Sequence, residues 1–176
     1  MARALRKAGI RAVLTGGACA AIHTAGGYSS EDVDFILQST PSARRLDDAM
    51  ASIGFLRRKD QYFHPRTTFF VEFPPGPLGI GRDLAVKPVI KTVRASGGSV
   101  RTLSATDSCR DRLAAFYHWA DRQSLDVAVL IALRNRVDMR KISGWSAREG
   151  AAEGYGQFVR ELARARRRSK KRDSAS

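Results

Sequence analysis

The sequence predicts an α/β (α+β) protein, a small mixed β-sheet flanked by helices and followed by a helical C-terminal part. Three observations carry this. Short β-rich runs alternate with breaker-bounded helical segments over roughly the first hundred of 176 residues. From Ser104 onward the helical period takes over. No apolar run approaches the roughly 18 residues of a membrane span.

The elements follow in order. A short N-terminal helix precedes an apolar strand at 12–15, which stops at Gly16-Gly17. Residues 18–24 contain no breaker and suit a helix, and Gly26, Gly27, Ser29 and Ser30 mark a loop. Residues 32–37 (DVDFIL) form the next strand. Pro41 and Ser42 start a helix over 43–53, where Leu46, Met50 and Ile53 recur at helical spacing and Gly54 stops it. The runs 61–63 and 67–73 read as a hairpin around His64-Pro65-Arg66, ended by Pro74-Pro75-Gly76-Pro77. The stretch 76–81 (GPLGIG) follows a strand but opens no clear helix, so it reads as a connecting loop. Residues 84–93 fit no single pattern, and 94–103 is extended chain around a Gly97-Gly98 turn. Helices are expected over about 104–119, 124–135 and 146–168, the last with a break near Gly154 and Gly156. The expected division is a core over 1–103, a helical region over 104–163, and a disordered basic tail over 164–176.

Composition points to a protein of the reducing cytoplasm, with no signal peptide visible at the N-terminus and no membrane association. Cys19 and Cys109 are too few and too distant for a zinc site or a disulfide framework. His23, His64 and His118 lack ligand spacing and read as structural or exposed. Phe116, Tyr117 and Trp119 read as helix packing. The net charge of +14 is less ordinary and indicates a polyanionic partner, most simply nucleic acid. Eight basic residues against two acidic ones between Arg160 and Ser176 make a net +6 there, which leaves +8 on the rest.

The pattern that carries chemistry is Gly16-Gly17, fourteen residues, then Asp32-Val33-Asp34. On a strand, residues i and i+2 share a face, so Asp32 and Asp34 project together and one divalent cation can bridge them. Glu72 is a charge inside the apolar run Phe69-Phe70-Val71-Glu72-Phe73. It is tolerable at a sheet edge or facing a metal. Asp32, Asp34 and Glu72 together supply the carboxylates of a two-metal phosphoryl-transfer site, in which two Mg²⁺ ions about 3.5–4 Å apart act on the attacking and leaving oxygens. Mn²⁺ is the alternative metal. The glycine turn at a helix start offers backbone N–H groups to a triphosphate.

The run Leu14-Thr15-Gly16-Gly17-Ala18 followed by Asp32-Val33-Asp34-Phe35, with Glu72 as third acid, resembles the signature of the polymerase-β-type nucleotidyltransferase superfamily. Small size, Cys109-Arg110-Asp111-Arg112-Leu113-Ala114-Ala115 and Asp121-Arg122-Gln123-Ser124-Leu125-Asp126 resemble the small nucleotidyltransferase toxins of abortive-infection and toxin–antitoxin systems. The resemblance implies a nucleotidyltransferase fold, an NTP substrate, Mg²⁺, an RNA acceptor with the tRNA end as target, and an antitoxin protein as a candidate partner. It implies that Arg112 contacts the nucleotide phosphates and that Asp121 or Asp126 is the later acid. As ordinary residues, Asp111, Arg112, Asp121 and Arg122 would be helix-surface charges. Two positions depart from the family pattern. Ala18 stands where many members have a serine on the phosphates, leaving that contact to Gly16 and Gly17 backbone, Ser29 or Ser30. Arg112 replaces the commoner lysine, with a different reach and geometry. The alternatives are nucleotidyl transfer to a small-molecule or protein hydroxyl, and a non-catalytic nucleic-acid-binding relative.

Overall fold

The computed structural model describes residues 1–83, 87–95 and 98–173. The ambiguous stretch 84–93 therefore lies partly outside the described residues, as does Gly97 of the expected turn. The order is α1 (Ala2–Lys7), β1 (Ala12–Leu14), α2 (Gly16–His23), β2 (Asp32–Leu37), α3 (Ala43–Ala51), β3 (Leu56–Arg58), β4 (Gln61–Phe63), β5 (Phe70–Glu72), β6 (Ile90–Ala95), β7 (Gly98–Leu103), then α4 (Ala105–Trp119), α5 (Arg122–Arg134), α6 (Met139–Arg148) and α7 (Ala152–Asp173).

The seven strands form one mixed sheet in the order β3-β4-β5-β2-β1-β7-β6. β2 runs antiparallel to β1 and parallel to β5, and β1 runs parallel to β7. One face packs on α1 and α3. There Leu5, Leu46, Met50 and Phe55 join Phe35, Tyr62 and Val71 in a continuous apolar core. The other face carries α2, which also packs on α4. A second core lies among the C-terminal helices, around Leu113, Leu125, Ile131, Ile142, Trp145 and Phe158. No helix among the described residues is long and apolar enough to cross a membrane.

The differences from the sequence reading have local causes. β3 was not expected, because Leu56-Arg57-Arg58 is exposed and mostly charged. It pairs with β4 through a tight turn in which Lys59 adopts a positive φ of 58°. The single C-terminal helix expected over 146–168 is two helices. Asp138 caps α6, accepting from the Lys141 N–H at 3.0 Å, and Gly150 at φ 71° separates α6 from α7. Gly154 and Gly156 lie inside α7 instead of breaking it. A β-carbon on Gly154 would meet the Tyr117 ring at 2.8 Å, so this glycine lets α7 approach α4 closely. Helix α7 continues through Asp173, so the segment expected to be disordered from residue 164 is helical that far.

Cys19 and Cys109 are free and buried. Burial pushes both thiols up, Cys19 to about 12, so neither is a ready nucleophile. Two of the histidines make structural contacts: His23 Nε2 meets the Leu103 carbonyl at 2.9 Å, and His118 Nε2 meets Glu149 Oε2 at 2.6 Å.

Candidate active site

The site is built on β2 and β5, next to the start of α2. The parallel register pairs Asp32 with Phe70, Val33 with Val71, and Asp34 with Glu72. Paired residues share a face and neighbouring strands run about 5 Å apart, so Asp34 and Glu72 stand side by side. Asp32, two residues before Asp34, is on that face too. β5 lies inside the sheet between β4 and β2, which removes the edge-strand explanation for Glu72. The antiparallel register then places Gln61 opposite Glu72, and Gln61 Nε2 donates to Glu72 Oε1 at 2.5 Å.

α2 begins two residues earlier than the sequence suggested, at Gly16 itself. Gly16 adopts φ 61°, a left-handed conformation that favours glycine. A β-carbon there would lie 2.2 Å from Asp34 Oδ2, so the Asp34 carboxylate rests against the first turn of the helix. The Thr15 N–H donates to the Asp34 carbonyl at 2.9 Å and ties strand to turn. Gly17 is covered by the loop that follows α2: its missing side chain would collide with the Ser30 hydroxyl and meet the Tyr28 hydroxyl at 3.2 Å. Ser30 Oγ donates to Asp32 Oδ1. The expected phosphate-contacting serine is thus engaged with a carboxylate, and Ser29 is exposed in the same loop.

Asp34 is the electrostatic centre. Burial, then the neighbouring carboxylates of Asp32, Glu72 and Asp111, push its carboxyl from 3.8 up to about 6, against the pull of Arg112. Arg112, on α4, therefore lies within the field of the carboxylate face. Its guanidinium is mostly buried and donates to Asp111 Oδ2 from Nε at 3.1 Å and from the terminal nitrogen at 2.8 Å. Burial opposes its charge most, but Asp111, through its charge and hydrogen bonds, together with Tyr28 and Asp34 outweighs it and holds the guanidinium more firmly protonated than usual. Asp121 is the N-cap of α5, accepting from the Ser124 N–H at 3.1 Å and the Ser124 hydroxyl at 2.7 Å. The Ser124 hydroxyl holds its carboxyl below the usual range, and Arg112 contributes in the same direction. Asp121 is thus a helix cap near Arg112. Asp126 is elsewhere, lining a groove with Leu130, Glu161 and Arg164.

Sequence reasoning missed three partners: Gln61 on Glu72, Ser30 on Asp32, and Asp111 as the holder of Arg112. The first follows from the hairpin register once Gln61 is set against Glu72. The second follows only from the path of the loop over Gly17.

Among the described residues, no three His, Cys, Asp or Glu side chains converge as a closed metal shell would require. Ser30 holds Asp32, Gln61 holds Glu72, and Asp34 lies against Gly16. The donor set still fits magnesium. It is all carboxylate oxygen, burial and then the neighbouring carboxylates raise Asp34, and Mg²⁺ needs only one or two carboxylates alongside water and substrate phosphates.

No family model matches the chain, and no curated protein matches it in sequence. Among solved structures it is similar to the solution structure of the antibiotic-resistance factor ANT(2'')-Ia, described as showing substrate-regulated conformation dynamics. The TM-score is 0.50 at 11% identity, over 96% of this chain and 92% of that one. The protein has a nucleotidyltransferase-like fold with C-terminal helices. The likeness reaches that fold in general and does not single out the toxin branch.

Proposed function

We propose that this protein is a Mg²⁺-dependent nucleotidyltransferase that moves a nucleoside monophosphate from an NTP to an RNA hydroxyl, with a tRNA end as the acceptor. The observation that carries the reading is the register that sets Asp34 beside Glu72, on the face shared with Asp32 and against the Gly16 start of α2. In the reaction the acceptor oxygen bonds to the α-phosphorus, the bond to the β-phosphate breaks, and pyrophosphate leaves. Asp32, Asp34 and Glu72 would hold the metal, which when bound neutralises phosphate charge and lowers the pKa of the attacking hydroxyl. The N–H groups at the start of α2 and the Arg112 guanidinium, held in place by Asp111, would receive the triphosphate. Ser30 and Gln61 orient two of the carboxylates.

The RNA acceptor rests on the net charge of +14, of which +8 is on the body of the protein. The competing acceptor is a small molecule. What favours it is the fold shared with a factor that acts in resistance to antibiotics, which are small molecules. Incubation with each labelled NTP, Mg²⁺ and either total RNA or small hydroxyl compounds separates the two. Label in RNA supports the first reading, and label confined to small molecules or protein overturns it. If the protein acts as a toxin, its expression will arrest growth and the Asp32→Asn variant will not.

A further inference from the structure

One aromatic side chain on α4, the helix that carries Arg112, is unused by the core. Trp119, the last residue of α4, is 75% exposed, where the sequence suggested packing. Large apolar side chains on a surface are individually ordinary, so position has to decide. At the helical period, Ser108, Arg112, Ala115 and Trp119 fall on one stripe of α4. Ser108 is buried under the neighbouring elements, and Arg112 lies in the field of Asp34. Ala115 is small, and Trp119 comes next. Two helical turns, about 10 Å along the axis, separate Arg112 from Trp119. After Trp119 the chain turns sharply at Ala120 (φ 53°), and Asp121, which lies in the field of Arg112, caps α5. The end of α4 therefore leads directly into Asp121, two helical turns from Arg112. The His118 ring meets the indole edge-on, 5.9 Å between centroids, and braces it without covering it.

We infer that Trp119 is the platform on which the base of the bound NTP stacks, its triphosphate reaching back past Ala115 to Arg112 and the start of α2. The inference rests on the nucleotidyltransferase reading for the placement of the triphosphate. Every base offers a π-face, so such a platform tolerates all four bases and leaves their discrimination to other groups.

The chain has two tryptophans, and the other, Trp145, is fully buried. Emission from Trp119 is therefore the solvent-exposed, acrylamide-quenchable component, and Trp145 is an internal reference. The intact protein is titrated with each Mg-NTP in the absence of acceptor. Saturable loss of the exposed component and protection of Trp119 from acrylamide are expected, with Trp145 emission unchanged. In transfer assays Trp119→Ala should raise the KM for NTP about tenfold with little change in kcat, and Trp119→Phe should restore most of the affinity. No Trp119 signal up to millimolar NTP overturns the inference, and so does a KM effect confined to the acceptor. The two readings fail separately. Transfer with an unresponsive Trp119 removes the platform and keeps the enzyme, whereas a responsive Trp119 without transfer removes the enzyme and keeps the nucleotide site.

Discussion

A β-carbon on Gly16 would stand 2.2 Å from Oδ2 of Asp34. The glycine turn and the carboxylate strand are therefore a single device: the absence of one side chain makes room for the other. Gly16→Ala should displace the Asp34 carboxylate, because the new β-carbon is fixed to the helix backbone and the atoms it meets are those of the Asp34 side chain. The left-handed φ of 61° adds strain of about 1 kcal/mol. Transfer should fall at least about a hundredfold, the scale of a misplaced reacting group. Gly26→Ala is the control. Its φ is 77° but its β-carbon would meet nothing within 4 Å, so it should lose the same stability in urea melts and keep its turnover.

Asp34 makes the metal-free protein pH-sensitive. Its folded carboxyl titrates at about 6, above the 3.8 of an unperturbed aspartate. Between those values the folded state binds more protons than the unfolded one, so this group's contribution to stability is lost as pH rises from about 4 to about 6. Asp34→Asn removes the charge at nearly constant size. With chelator present at pH 7 it should melt higher, by on the order of 1–2 kcal/mol after solvent screening, and its pH dependence over that window should flatten. Transfer should be lost in both Asp32→Asn and Asp34→Asn. A destabilised Asp34→Asn would contradict the reading that burial and the neighbouring carboxylates disfavour the Asp34 charge.

Much of this arrangement was legible in the sequence. Period-two alternation put Asp32 and Asp34 on one face, and an acid inside an apolar run marked Glu72. Strand partnership was not legible: nothing local says that β5 pairs in parallel with β2, or that it lies inside the sheet. Asp121 is ambiguous in the sequence for a physical reason. An aspartate three residues before a serine suits an acidic pocket motif and an N-cap equally, and the structure shows Asp121 as the cap, accepting from the Ser124 N–H. Helix α6 was hidden because only Ile142, Trp145 and Ser146 are buried among polar neighbours. The C-terminal tail looked disordered by charge, yet Phe158 and Leu162 anchor the helix that carries it.

Glu72 and Gln61 separate chemistry from binding. Glu72→Gln keeps size and loses the charge that a metal needs. It should lower kcat by more than tenfold while NTP affinity changes little, because on the proposed two-metal reading Glu72 would help hold the metal that activates the acceptor hydroxyl. Gln61→Ala leaves the carboxylate intact and removes only its side-chain hydrogen bond, so its effect should be smaller and on the same parameter. Single-turnover kinetics at saturating NTP distinguish the two steps. Unchanged turnover in Glu72→Gln would make the residue a plain sheet acid.

Arg112 and Asp111 are coupled. Arg112→Ala should raise the KM for NTP with any acceptor, because on the proposed reading the lost contact would be to the shared triphosphate. Arg112→Lys should recover only part of it, since a point charge cannot reproduce the planar fork that Asp111 holds. Asp111→Asn should leave the guanidinium in place but less firmly oriented, giving a smaller rise in KM. An effect on acceptor binding alone would move Arg112 from the triphosphate to the RNA.

The charge on α7 tests the acceptor itself. Arg160, Arg164 and Arg167 recur at i, i+4 and i+7, all exposed, on the side away from buried Phe158 and Leu162. Like charges at this spacing cost an isolated helix a few tenths of a kcal/mol each, and Glu161, 3.0 Å from Arg164, offsets one of them. A polyanion would offset them all. RNA affinity should fall linearly in log salt, with a slope of about −0.7 per phosphate neutralised on a single strand. Replacing the three arginines with glutamine should make the slope shallower by about 2 if each contacts a phosphate. Helicity should be kept or improved, and transfer at saturating RNA should persist. Deleting 164–176 should act in the same direction. An unchanged slope in both would leave the +8 of the remaining chain to hold the RNA. Transfer to a small hydroxyl compound without salt dependence would transfer the whole argument to the small-molecule acceptor.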